Sequence, residues 1–275
     1  MLSNIVCLNG DFIRNFELSN RAFEYGDGIF ESIIAQKDRI QFWQSHYQRL
    51  MEGCKALHFE MPANFNASFL ENTIFTLAEL NNLYDFFRIK INVWRQEGGL
   101  YTPTQHNVHF LLRVYPYQPK REQIKPKAIF FQDVPLVYSS ISPFKTLNSL
   151  PYVLAGIAAQ KQQAQDAILL SSEGYIAETI ASNIFWIKEN QIFTPSLLCG
   201  GKRGVMQEKI LEKIKNLGIS LKIGEFSPQD LLEAEVVFTS NIAGIEAIES
   251  IENTLFRTEH PHLSIFRELL ISHLL

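Results

Sequence analysis

The chain has 275 residues, enough for one large domain or two of ordinary size. It is 46% hydrophobic and 20% charged, which allows a substantial core and excludes a disordered chain. The net charge of −4 argues against nucleic acid as the main partner. Cys7, Cys54 and Cys199 are odd in number and far apart, so they form neither a disulfide framework nor a metal site. No secretory leader or bilayer-length apolar run stands out, and the expectation is a cytoplasmic protein.

Ile5 to Leu8 reads as a strand closed by Asn9-Gly10, a tight hairpin signal, with Phe12 and Ile13 returning. The segment from Asn20 to Ile33 passes through Gly26-Asp27-Gly28, a turn into a core strand. As a phosphate cradle that turn is poor, because the aspartate would repel an anion. Trp43, Tyr47, Leu50, Cys54 and Leu57 recur at helical spacing and predict an amphipathic helix over 42–57. His46 and Arg49 share an adjoining face, where a surface salt bridge is the ordinary role for the arginine. A second helix is predicted over 65–80, then strands over 86–94 and 108–115. Between them the loop Arg95-Gln96-Glu97-Gly98-Gly99-Leu100-Tyr101-Thr102-Pro103 has the length and composition of a site-lining loop.

Residues 117–126 are polar and basic and read as an interdomain connection, dividing the chain into 1–116 and 127–275. A strand follows over 128–131. Next comes Ser142-Pro143-Phe144-Lys145-Thr146-Leu147-Asn148-Ser149-Leu150-Pro151, a loop before a helix predicted over 152–163, with Asn148 or Ser149 as cap. A lysine in such a setting can be held neutral by desolvation, as Schiff-base chemistry requires.

Strands are predicted over 167–170, 175–179, 182–187 and 192–194. Glu178 is an acid among small residues in a hydrophobic region, either buried or on an exposed strand face. Cys199-Gly200-Gly201-Lys202-Arg203-Gly204 leads into a helix over 205–217. A glycine-rich turn at a helix start, with two cations, favours an anion; its spacing is not that of a Walker loop. Ser227 caps a short helix, 235–239 is a strand, and Thr239-Ser240-Asn241 is either a phosphate-donating turn or ordinary turn chemistry. A structural helix is expected over 262–274. The histidines do not converge, so no metal site is expected.

An amine in a loop, a candidate buried acid, an arginine on a helix and two anion-friendly turns suit pyridoxal 5′-phosphate. His46-Tyr47-Gln48-Arg49-Leu50, Lys145-Thr146-Leu147-Asn148, the run from Glu178 to Phe185, Gly200-Gly201-Lys202-Arg203 and Tyr25-Gly26-Asp27-Gly28-Ile29-Phe30-Glu31 occur in order. Together they resemble the fold-type IV pyridoxal-phosphate enzymes, the class IV aminotransferases, over nearly the whole chain. The resemblance implies an α/β (α+β) fold, with a small N-terminal α/β domain and a larger C-terminal domain bearing a barrel-like sheet. It implies a homodimer acting on a small-molecule substrate. Lys145 matches the Schiff-base lysine and Glu178 the partner of the pyridine nitrogen. Arg49, Gly201, Lys202, Ser240 and Asn241 match phosphate-binding positions, and Ser182 and Asn183 fall among the cofactor positions. Where the family usually has Ile-Thr, this chain has Gly201-Lys202. Tyr25, Phe30, Arg95 and Tyr101 are the implied substrate positions, with a structural ion pair as the competing role for Arg95.

The Arg95 to Tyr101 loop lacks the Arg-x-His trap of D-amino-acid aminotransferases and resembles the Arg-x-x-x-Gly-x-x-Tyr loop of aminodeoxychorismate lyases. The branched-chain Gly-Gly-Asn-Tyr and Gly-Thr-Gly-Thr signatures are also absent. The resemblance therefore implies aminodeoxychorismate lyase activity in folate biosynthesis, with D-amino-acid or branched-chain amino-acid aminotransferase as the enzyme alternatives and a non-catalytic binding protein as the alternative from another class.

Overall fold

The computed structural model describes residues 5–13, 21–119 and 123–272, without the side chains of 270–272. Asn20, residues 120–122 of the expected connection and the last helix beyond Ser272 lie outside the described residues. The chain divides into two units. One runs to Pro119 and takes in Phe144–Asn148; the other holds the rest of the described chain.

In the first unit, β1 (Val6–Leu8) and β2 (Asp11–Ile13) form the expected hairpin. Asn9 and Gly10 adopt φ of 54° and 102°, the positive values such a turn demands. A short α1 (Arg21–Tyr25) precedes β3 (Gly28–Gln36) and β4 (Arg39–Ile40). Then come α2 (Trp43–Ala56), α3 (Ala67–Leu80), β5 (Phe86–Arg95) and β6 (Val108–Pro116). The strands make one sheet in the order β2-β1-β6-β5-β3-β4. Successive side chains point to opposite faces, so pairing fixes two surfaces at once. Ile33 opposite Ile89, Ile89 opposite Val114, and Ile91 opposite Leu112 build an apolar face. Leu50 and Cys54 of α2 and Leu70, Ile74 and Leu77 of α3 bury it. Asn66 caps α3 by accepting from Phe69 N at 2.9 Å. The opposite face of the sheet carries Phe30, Ser32, Arg88, Lys90, Asn92, Arg113 and Tyr115; of these, all but the exposed Arg88 are part-buried.

In the second unit, β7 (Ile124–Lys125), β8 (Ala128–Leu136), α4 (Leu150–Lys161), β9 (Asp166–Ser171) and β10 (Ile176–Thr179) come first. They are followed by β11 (Asn183–Lys188), β12 (Gln191–Pro195), a single 3₁₀ turn (Leu197–Cys199), α5 (Val205–Leu217), β13 (Leu221–Gly224) and α6 (Pro228–Leu232). The unit closes with β14 (Val236–Asn241), β15 (Gly244–Ile248), β16 (Ser250–Ile251), β17 (Thr254–Leu255) and α7 (Pro261–Ser272). Two sheets result, ordered β10-β9-β8-β16-β17 and β13-β12-β11-β14-β15-β7. β9 and β10 are buried at every residue, and β11 and β14 at all but the last, so their apolar runs are flanked by buried polar residues such as Asp166, Glu178, Asn183 and Ser240. Trp186 anchors one core, stacked on Phe193 at 5.8 Å and edge-on to Phe226 at 4.9 Å. Ala155 and Ala159 of α4 pack on Ile129, Ala167 and Leu169 in another.

The expected division placed the lysine strip in the C-terminal domain; residues 144–148 instead pack with the first unit. The cause is backbone pairing. Phe30 N donates to Lys145 O at 2.8 Å, and Leu147 N donates to Gly28 O at 3.0 Å. Gly28 has no room for a Cβ, which would lie 2.7 Å from Val93 O and 2.6 Å from Leu147 Cδ1.

Candidate active site

Within the first unit, Arg49 is not on the surface. It is buried, and its guanidinium forms a fork on Glu31, with Nε to Oε1 at 2.7 Å and Nη2 to Oε2 at 2.6 Å. His46, one turn earlier on α2, shares Glu31 Oε2 through Nδ1 at 2.8 Å. Burial pushes the Glu31 carboxyl up, but the Arg49 charge and the His46 hydrogen bond reverse this and bring it to about 2. Burial lowers the His46 pKa, Glu31 opposes it, and the Arg49 and Lys145 charges lower it further. The ring is therefore neutral. An ionised Glu31 only accepts, so Nδ1 carries the hydrogen and Nε2 presents a lone pair. That Nε2 is buried and has no hydrogen-bond partner among the described residues.

Lys145 is half-buried, with Nζ 5.4 Å from the Phe30 ring centroid. Lys145 thus lies beside Phe30, and its charge is also felt at His46 of the Glu31–His46–Arg49 cluster. Arg95 is not part of that cluster. Its Nε donates to Asp27 Oδ2 at 2.9 Å and its Nη2 to Leu57 O at 2.8 Å; Nη1 lies 2.7 Å from His106 Nδ1. All three nitrogens are engaged inside the protein, so the structural ion pair is the role the geometry gives Arg95, in place of substrate binding. Arg21 joins from the other side, Nε to Asp27 Oδ2 at 2.8 Å, and its Nη1 donates to Leu100 O at 2.6 Å, pinning the loop. Burial raises the Asp27 pKa, yet these two arginines outweigh it and hold the group ionised. Tyr101, 87% exposed, touches Tyr25 at 5.6 Å between ring centroids.

Within the second unit, Glu178 is buried, 4% exposed, which resolves the sequence's two options. Tyr152 OH donates to its Oε1 at 2.6 Å, and Asn183 Nδ2 to its Oε2 at 3.5 Å. Burial and the neighbouring Glu178 charge raise the Tyr152 pKa far above the usual phenol range, so it stays a donor. Asn183 Nδ2 also donates to Lys202 O at 2.7 Å and ties the glycine-rich turn to β11. Lys202 Nζ sits 4.6 Å from the Tyr152 ring centroid. A Cβ on Gly201 would come within 3.2 Å of Ala177 O, so glycine lets the turn approach β10. Asn183 pairs directly with Ser240, so the two side chains share a face; further along the ladder Phe185 and Phe238 stack at 5.2 Å. Ser240 is buried and its Oγ has no hydrogen-bond partner among the described residues. Asn241 Nδ2 donates to Ser182 Oγ at 2.9 Å, joining the two remaining positions.

The sequence missed Glu31, His46 and Tyr152 as site-forming groups. His46 and Arg49 lay three apart beside each other, a legible signal; the acid that binds both could not be read from spacing. Among the described residues, no group of three His, Cys, Asp or Glu side chains is placed to hold a metal ion. Among the same residues, no helix is long and apolar enough to cross a membrane.

The sequence profile of Amino-transferase class IV matches residues 28–251. The chain belongs to the class IV aminotransferase family. It is 30% identical over 253 residues to the aminodeoxychorismate lyase of Vibrio harveyi, covering 86% of this chain and 89% of that one. It is 25% identical over 271 residues to the branched-chain-amino-acid aminotransferase of Escherichia coli K12, covering 91% and 85%. The T.th. branched-chain amino acid aminotransferase, solved with N-(5′-phosphopyridoxyl)-L-glutamate, superposes with a TM-score of 0.85. That match is 21% identical and covers 98% of this chain and 93% of that one. The fold is accordingly that of the fold-type IV enzymes, and the chain is an enzyme of the pyridoxal-phosphate-dependent lyase and aminotransferase group.

Proposed function

We propose that this protein is an aminodeoxychorismate lyase using pyridoxal 5′-phosphate. The likeness to the Vibrio harveyi lyase carries the reading, because it spans most of both chains. The residues present fit the cofactor. In the second unit, Ser240 Oγ is a buried polar atom without a hydrogen-bond partner among the described residues, and Gly201 keeps its turn free of a side chain. When bound, the cofactor supplies an aldehyde for amines and a ring that takes up the electrons of a breaking bond. Arg49, Gly201, Lys202, Ser240 and Asn241 hold its phosphate, with Ser182 and Asn183 in support. Glu178, fixed by Tyr152, keeps a proton at the pyridine nitrogen.

Lys145 removes the proton from the ring carbon that bears the substrate amine. The enolpyruvyl group then leaves, gains a proton and becomes pyruvate; the remaining ring is aromatic 4-aminobenzoate. Phe30 lies beside Lys145, its ring centroid 5.4 Å from Nζ, and lines the amine on one side.

The homodimer belongs to the same proposal. Leu150, Val153, Leu154 and Ile157 make an exposed apolar stripe on α4 at helical spacing, suited to burial against a second copy. A cytoplasmic setting and a place in folate biosynthesis follow from the lyase reading alone. The competing activity is amino-group transfer, favoured by the Escherichia coli relative. Purified protein loaded with pyridoxal phosphate and given aminodeoxychorismate should yield pyruvate and 4-aminobenzoate in equal amounts. Absence of both products from protein that holds the cofactor would overturn the lyase reading.

A further inference from the structure

Lys125 sits on β7, the edge strand of the sheet that carries β11 and β14, yet its side chain is only 11% exposed. Its Nζ reaches past β15 and donates to Thr239 Oγ1 on β14 at 2.9 Å. The same Nζ donates at 2.6 Å to Oδ2 of the buried Asp166, which opens β9 in the unit's other sheet. Glu246 Oε2 lies 3.7 Å away, on the β15 residue directly opposite Thr239. The ammonium thus bridges both sheets of the second unit.

Each partner leads toward a cofactor position. Asp166 Oδ1 accepts from Ala167 N at 2.9 Å and from Ile180 N at 3.2 Å. Ile180 lies in the turn between Glu178 and Ser182, which Thr179 N closes by donating to Ser182 O at 2.8 Å. Thr239 immediately precedes Ser240, whose buried Oγ has no hydrogen-bond partner among the described residues. Asn241 Nδ2 donates back to Ala181 O at 3.2 Å, so the two turns also meet directly.

We propose that Lys125 is a positioning residue for the cofactor: through Asp166 it sets the Glu178 turn, and through Thr239 it sets the Ser240-Asn241 turn. The pyridine nitrogen and the phosphate of one cofactor are then met together. The proposal deepens the cofactor reading above and rests on it for the roles of Glu178 and Ser240.

Titration of the full-length, cofactor-free protein with pyridoxal 5′-phosphate and with pyridoxal, followed by absorbance, separates the two arms, because pyridoxal lacks the phosphate. Thr239→Val keeps the side-chain shape and removes the Lys125 acceptor. It should weaken pyridoxal phosphate about tenfold and pyridoxal hardly at all. Asp166→Asn leaves one oxygen to serve Lys125 or the Ile180 N–H, and should weaken both forms by a similar factor, about fivefold. In a Lys125→Met background, Thr239→Val should change pyridoxal phosphate affinity less than about twofold, since the bond it breaks is already gone. Lys188→Gln, which breaks an exposed ion pair with Glu233 in the same unit, should alter neither affinity. Melting temperatures are read beside each titration. Lower melting temperatures with both affinities unchanged in Thr239→Val and Asp166→Asn would make the network a structural brace and overturn the proposal. An undiminished Thr239→Val effect in the Lys125→Met background would also overturn it. Where Lys125→Met fails to fold, equal loss of both cofactor forms in Thr239→Val would overturn it instead. The expected affinities in a protein that never releases pyruvate would sink the lyase reading while leaving Lys125 in its role.

Discussion

Glu31→Gln isolates the buried cluster that holds Arg49. The introduced amide fills the same space but leaves the Arg49 guanidinium without the Glu31 countercharge at a position only 4% exposed. Removing one member of such a buried pair costs about 3–5 kcal/mol. At roughly 2 °C per kcal/mol for a chain of this size, Tm should fall by about 6–10 °C near pH 7. The pH dependence supplies an independent check. The folded Glu31 pKa is depressed from 4.5 to about 2, so its stabilisation is fully present above the unfolded value and is lost as pH falls toward 2. Those two values correspond to about 3 kcal/mol. At about pH 3.5 the parent protein has already lost about 1.4 kcal/mol of it, one pK unit, whereas the amide variant has none to lose. The gap between parent and variant should therefore narrow from about pH 6 to about pH 3.5. Denaturant titrations at both pH values measure it. A Tm change below about 2 °C, or a gap that widens on acidification, would contradict an ionised Glu31 bound to Arg49.

Tyr152→Phe removes the 2.6 Å donor to Glu178 and should lower kcat about tenfold, with cofactor affinity reduced less; steady-state kinetics beside a cofactor titration would reveal equal losses if Tyr152 only packs. Lys125→Met strips the 2.6 Å partner from buried Asp166 and should destabilise the fold by about 3 kcal/mol, measured by urea denaturation; an unchanged midpoint would mean the ion pair is dispensable. Leu154→Glu places a charge in the exposed α4 stripe and should convert the proposed dimer to monomer in sedimentation experiments; an intact dimer would put the interface elsewhere.

Local patterns were legible where burial is one-sided. The stripe of α2 and the turn at Asn9-Gly10 follow from spacing and φ preference alone. The cap of α3 shifted its predicted start from 65 to Ala67, because Asn66 accepts the Phe69 N–H. The helix after the lysine begins at Leu150, with Ser149 at the expected cap position and Pro151 in the first turn, and it ends at Lys161, two residues before the expected 163. The strand predicted over 128–131 runs to Leu136, with a register irregularity after Phe131 where Gln132 and Asp133 break the apolar run. Two-residue strands such as β7 and β16 have too few residues to show a period. The site was legible as residue types and illegible as partnerships. Asp27 meets Arg95 across 68 positions, and Glu31 meets Arg49 across 18, distances over which no local spacing operates. Lys145 read as a loop residue because its strip joins β3 through backbone atoms, which leave no mark on side-chain pattern.

The most direct measurement gives one preparation of cofactor-loaded protein two substrates in turn. Aminodeoxychorismate should release pyruvate over many turnovers while the cofactor spectrum returns to its starting form. A panel of L- and D-amino acids with a keto-acid acceptor should give far slower amino-group transfer. No pyruvate from the first, with rapid transfer from the second, would make this protein an aminotransferase and contradict the lyase assignment.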